Sequence, residues 1–147
     1  MSTTALSSET LHASCIAVNG QAVLIAGRSG SGKSDLALRM IDRGAVLVSD
    51  DYTMLKRVQG RLLASPPPNL RGKLEVRGLG ILDFQSTADA PVCLYVDLDR
   101  QVERLPETPE TVSIAGVQIP SIALNSLEAS APVKLEVGLS LFGLPAE

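Results

Sequence analysis

The chain has 147 residues, a formal net charge of −3 and 45% apolar residues, enough for one domain with its own core, spanning 1–147, and too few for a second. A pI near 5.2, two Phe, two Tyr and no Trp provide neither the basic footprint nor the stacking rings of a nucleic-acid binder. Cys15 and Cys93 form no C-x-x-C and suggest neither zinc nor a disulfide framework, no apolar run is long enough to cross a bilayer, and residues 1–10 read as a mobile polar tail rather than a signal peptide, so a reduced, cytoplasmic setting is expected.

In chain order, residues 14–18 and 21–26 read as strands joined by Asn19-Gly20, a strong hairpin signal. The second strand runs into Gly27-Arg28-Ser29-Gly30-Ser31-Gly32-Lys33-Ser34, which fits the phosphate-loop pattern G-x-x-x-x-G-K-[ST] in the strand-before, helix-after setting that the pattern needs. Residues 34–42 have helical periodicity, with Leu36, Ala37, Met40 and Ile41 on one face, and Arg43-Gly44 closes the helix. Glycines let such a loop turn several N–H groups onto a polyphosphate, with Lys33 reaching the β/γ-phosphates and the Ser34 hydroxyl ligating Mg²⁺ at the positive end of the helix.

Residues 45–48 form another buried strand, which ends in Ser49-Asp50-Asp51. Acids at a strand end just after a phosphate loop stand where an α/β sheet places catalytic or metal-binding groups. Because side chains alternate along an extended chain, Asp50 and Asp51 are expected to do different jobs, one of them facing the phosphates.

Residues 52–63 read as a hairpin about Gln59-Gly60, and residues 65–69, with Pro66-Pro67-Pro68, as a stiff extended connection. Residues 74–83 place Glu75 and Arg77 on one face ahead of Gly78 and Gly80. Residues 91–99 alternate like a half-buried strand, 100–105 suit one helical turn, 113–124 hold two short strands about Gly116 with Pro120 at an edge or bulge, and 133–137 make a last strand. The expected fold is α/β, a P-loop core with a strand-rich sheet and one helix.

With these pieces assembled, the chain resembles the catalytic, C-terminal domain of the HPr kinase/phosphorylase family, which phosphorylates a serine on the phosphocarrier protein HPr and can reverse the reaction. The likeness rests on the loop Gly27 to Ser34, on Arg43-Gly44, on Leu47-Val48-Ser49-Asp50-Asp51, and on Leu74-Glu75-Val76-Arg77-Gly78-Leu79-Gly80-Ile81, which is similar to the family signature. It implies a bacterial, shortened form without the family's N-terminal domain, and a fold similar to that of the nucleotide domain of phosphoenolpyruvate carboxykinase.

The resemblance implies ATP and Mg²⁺ as cofactors, an HPr-like phosphocarrier of the phosphotransferase system as partner, and a hexamer. It implies metal ligation by Ser34, Glu75 and Asp50. The implied catalytic residues are Asp51, which takes the proton of the target serine, with His12, Lys33 and Arg104. The family's basic segment after Ile119-Pro120, tied to phosphorolysis, is replaced by Leu124-Asn125-Ser126-Leu127-Glu128-Ala129-Ser130, which leaves the kinase direction in place and the reverse in doubt. Two other readings stay open: a P-loop small-molecule kinase, although no Arg-rich lid segment is present, and a non-catalytic nucleotide-sensing module.

Overall fold

The computed structural model describes residues 7–147. The strands are β1 (Ser8–Leu11), β2 (Ala13–Val18), β3 (Gln21–Ala26), β4 (Val46–Ser49), β5 (Thr53–Val58), β6 (Arg61–Ser65), β7 (Lys73–Val76), β8 (Gly80–Asp83), β9 (Ala90–Asp97), β10 (Glu110–Ile114) and β11 (Val117–Ala123). The helices are α1 (Lys33–Asp42) and α2 (Ala131–Phe142). Nine strands form one mixed sheet in the order β1-β5-β6-β9-β3-β2-β4, with β11 also pairing β9 and carrying β10, while β7 and β8 form a separate hairpin.

Three hairpins close on two-residue turns whose central residues both have positive φ, as a type I′ turn requires: Asn19-Gly20, Gln59-Gly60 and Ala115-Gly116. The first holds β2 against β3 in register from Val18↔Gln21 to Ala13↔Ala26. β9 lies parallel to β3, and its other edge is shared between β6 at Ala90 and Pro91 and β11 at Tyr95 to Asp97. Pro120 sits just ahead of the three residues of β11 that pair with β9, so its missing N–H is not called for there.

The sheet separates two cores. On one face Ile16, Val23, Ile25 and Leu94 pack against Leu36 and Met40 of α1 and Leu135 and Leu139 of α2. On the other, Cys15, Leu24 and Val48 meet Leu55, Leu62 and Ile119, because the sheet curls over itself. β2 and β3 are therefore buried on both faces, which explains why they are apolar nearly throughout rather than alternating. Both cysteines are buried and free.

Five expectations change. Residues 133–137 are not a strand but part of α2, whose Ala131, Leu135, Gly138 and Leu139 are buried at helical spacing, with Pro132 in the first turn. Residues 100–105 form no helical turn: Asp97 Oδ1 accepts from the N–H groups of Asp99 and Arg100, closing β9, and Val102 and Leu105 stay exposed instead of packing on the core. β9 is central rather than half-buried, with Cys93 and Leu94 both fully covered. The expected polar tail is shorter than ten residues, since Ser8–Leu11 pairs with β5 as an edge strand, and its residues 1–6 lie outside the described residues. In the proline segment the chain is extended only as far as Pro67, and a 3₁₀ turn covers Pro68–Leu70.

Candidate active site

The phosphate loop leaves the end of β3 and enters α1 through Gly32, which has φ 95°. A Cβ on Gly27 would lie 2.5 Å from Ser31 Oγ, so the loop closes on itself only with glycine there. Ser31 Oγ is buried with no protein hydrogen-bond partner. Lys33, only 6% exposed, donates from Nζ to Gly27 O (2.8 Å) and Arg28 O (3.1 Å), holding its ammonium across the loop.

Asp50 follows β4 and is 7% exposed. Its Oδ1 accepts from Ser34 Oγ at 2.7 Å and Ser14 Oγ at 2.8 Å, and its Oδ2 from the Glu75 N–H at 3.2 Å. A buried carboxylate needs donors of this kind to offset its lost hydration. The turn that follows is drawn in by Tyr52 N–H donating to Asp50 O and by Ser49 Oγ donating to Tyr52 O. Asp51 occupies the left-handed region at φ 68° and points away from Asp50, toward His12.

His12 Nε2 and Asp51 Oδ1 are 2.8 Å apart, and the His12 ring stacks on Tyr52 at a centroid distance of 5.0 Å. Asp51 is 58% exposed at its side chain. The two acids are linked through Ser14, whose Oγ donates to Asp50 and accepts from Asp51 N–H at 3.2 Å. The structure thus brings Ser34, Asp50, Asp51, His12 and the Glu75 backbone into one hydrogen-bonded group, while the Lys33 ammonium is held by loop carbonyls instead.

Glu75 joins through its N–H, while its side chain stands exposed on β7. Arg104 is not drawn in: it lies in the exposed segment after β9, lining a separate cavity against α2. Among the described residues no three His, Cys, Asp or Glu side chains converge as a metal cluster.

Sequence reasoning passed over Ser14, Tyr52, Asp99 and Ser126. Asp99 Oδ2 accepts from the Arg28 N–H at 2.8 Å, and Ser126 Oγ donates to Ser31 O at 2.6 Å, so the loop is tethered at its entrance and near its apex. Ser14 did carry a signal, as the one hydroxyl in the apolar run of β2. Ser126 carried none, being 95 residues from its partner.

The profile of the family described as HPr serine kinase C-terminal domain matches residues 4–132. The chain belongs to this family. The HPr kinase/phosphorylase of Burkholderia lata is 39% identical over 132 residues, covering 79% of this chain and 40% of that protein. The HPr kinase/phosphorylase of Clostridium tetani is 49% identical over 76 residues, 52% of this chain and 25% of that protein. This chain therefore spans less than half the length of these two relatives. The solved Hpr(Ser) kinase/phosphatase from Coxiella burnetii aligns with a TM-score of 0.78 at 29% identity, covering 90% of this chain and 88% of that one. The match of the HPr kinase family ends at residue 132, so nearly all of α2 lies beyond it. No helix of the described residues is long and apolar enough to cross a membrane.

Proposed function

We propose that this HPr kinase-family domain is an ATP- and Mg²⁺-dependent protein-serine kinase acting on an HPr-type phosphocarrier. The observation that carries the reading is the hydroxyl of Ser14, which ties the buried acid after β4 that holds the phosphate-loop hydroxyl of Ser34, Asp50, to an exposed acid paired with histidine, Asp51. Phosphoryl transfer asks a protein mainly for positioning and charge neutralisation. The loop amides and the Lys33 ammonium, now satisfied by two carbonyls, would turn to the donor phosphates. The unpartnered Ser31 hydroxyl and the glycine cradle at Gly27 fit such an anion.

The adjacent oxygens of Ser34 and Asp50 suit a hard cation that keeps most of its shell from water and phosphate, with Glu75 beside them. When bound, Mg²⁺ neutralises phosphate charge. With His12 donating to Oδ1 of Asp51, Oδ2 is left to accept the proton of the acceptor serine. The serine Oγ then forms its bond to the γ-phosphorus as the bond to the leaving ADP oxygen breaks. Asp51 is open to solvent, as a residue must be to meet a serine carried on another protein, and this favours a protein acceptor over an enclosed small molecule.

Phosphorolysis needs a seat for inorganic phosphate. Residues 124–130 carry no Lys or Arg, and the Arg100 guanidinium nearby is paired with Glu110, which supports a forward-only enzyme. The test is intact mass after incubation with Mg·ATP and an HPr-type protein. One phosphoryl group is gained, and Asp51→Asn slows the gain by about 10²–10⁴-fold while ATP still binds. Full activity in the Asp51→Asn variant would remove Asp51 from the role.

A further inference from the structure

A cavity of about 610 Å³ adjoins the phosphate loop, walled by Arg28, Gly30 and Ser31, by the chain after β9 and by the chain after β11. Ligand cavities run from roughly 300 to 1,000 Å³, and a triphosphate seated on loop amides does not require this space. Three features of its walls define an occupant.

The first is apolar. Leu127 is 90% exposed and Val102 45% exposed, and both border the cavity. Two branched aliphatic side chains at the mouth of a polar cleft are left wet unless a flat, weakly hydrated group covers them.

The second is directional. Asn125 Oδ1 accepts from the Leu127 N–H at 3.0 Å, which fixes the amide orientation and leaves Nδ2 free to donate. Asp99 is held by the Arg28 N–H on Oδ2, while its Oδ1 is 3.8 Å from Arg28 Nε, beyond hydrogen-bond distance, and so is free to accept.

The third is charge. Arg100 is paired with Glu110, and Glu128 with Lys134. The walls are balanced within the protein, which suits a neutral polar group rather than a second anion.

We propose that this cavity takes the nucleoside half of the phosphoryl donor. The base lies between Val102 and Leu127, Asn125 Nδ2 donates to a ring nitrogen or carbonyl of the base, and Asp99 Oδ1 accepts from a ribose hydroxyl. Ser126 keeps the two halves of the donor in register. Its Oγ fastens this wall to Ser31 O, and its carbonyl oxygen accepts from an Arg39 guanidinium N–H on α1. The inference rests on reading the loop as a nucleotide site, and it names the residues that tell a nucleotide from bare polyphosphate.

Calorimetric titration of the full chain in Mg²⁺ with ATP and, separately, with inorganic tripolyphosphate tests it without any acceptor protein. The wild type binds ATP at least about tenfold tighter than tripolyphosphate, as burial of a base against two aliphatic side chains implies. The double variant Leu127→Ser/Val102→Ser and the single variant Asn125→Ala lose most of that advantage and keep the tripolyphosphate affinity within about twofold. Both changes lie on exposed positions, so folding is unaffected, and melting curves verify this. Equal affinity of the wild type for the two ligands, or variants that retain the full advantage, overturns the cavity assignment and leaves the loop reading standing. If neither ligand binds the folded wild type, both fall. Lys33→Ala, which should lose both ligands together, separates the loop from the cavity.

Discussion

Replacing Asp50 by Asn keeps shape and removes charge at the most connected side chain of the site. The native carboxylate accepts three bonds, two hydroxyls on Oδ1 and the Glu75 N–H on Oδ2. An amide replaces all three bonds in neither orientation: with its NH₂ toward Ser14 and Ser34 the hydroxyls must accept, and their own protons lose the carboxylate. With its oxygen toward Ser14 and Ser34, its NH₂ faces the Glu75 N–H, donor against donor, and a part-buried N–H left unpaired costs about 1–3 kcal/mol. The two hydroxyl bonds fall from charge-assisted to neutral, losing roughly 1 kcal/mol each. Against this, the variant no longer desolvates a charge, which returns part of the sum. The net expectation is a loss of about 2–4 kcal/mol, which lowers the urea midpoint by about 1–2 M at ordinary slopes. Equilibrium unfolding followed by circular dichroism measures it. A midpoint within about 0.3 M of the wild type would refute the carboxylate as the group that binds β2, α1 and β7 together.

Gly32→Ala puts a Cβ 2.6 Å from Ser126 Oγ at a residue with φ 95°, so tripolyphosphate affinity should fall by more than about tenfold in calorimetry, and unchanged binding would mean that the loop does not need this turn. Leu135→Ala removes a fully buried side chain of α2 and should cost about 2–5 kcal/mol in urea unfolding, whereas Val133→Ser and Val137→Ser, on the exposed side, stay within about 0.5 kcal/mol; equal costs at all three would restore a strand. Burial pushes the Cys15 thiol above its ordinary value of 9.0. The unfolded chain therefore gives up this proton first, so the thiol's stabilising effect is complete below pH 9 and is lost as pH rises above it, by about 1.4 kcal/mol per pH unit. Urea midpoints at pH 8 to 10 should fall less steeply for Cys15→Ala than for the wild type, and parallel slopes would contradict the burial argument.

Where the chain's preferences are local, the sequence anticipates the structure closely. Asn19-Gly20 and Gln59-Gly60 turn where glycine supplies positive φ, the apolar runs of β2, β3 and β4 are strands, and the loop from Gly27 to Ser34 leads from strand to helix. α2 was misread because Val133 to Val137 alternates over five residues, a window that suits either period. Only the longer span from Ala131 to Leu139 shows helical spacing, and only docking on the sheet and α1 makes one face of it core. The segment with Arg104 suits one helical turn by sequence, but a short segment whose Val102 and Leu105 stay exposed has too little to offset the cost of nucleating a helix.

The sequence by itself determined that a glycine-rich loop of the phosphate-binding pattern stands between a strand and a helix and that two adjacent acids end the next strand, because these follow from backbone sterics and hydrogen bonding within a few residues. The tertiary structure alone decided which way each acid faces. Asp50 turns inward because Ser14, Ser34 and Glu75, up to 36 residues away, offer it donors, and Asp51 turns outward to His12, 39 residues away. It also decided that residues 124–128 close a cavity against the loop, through the bond from Ser126 to Ser31. Contacts of this kind form when the sheet curls and the core packs, so they leave no periodicity or spacing in the chain from which they can be read.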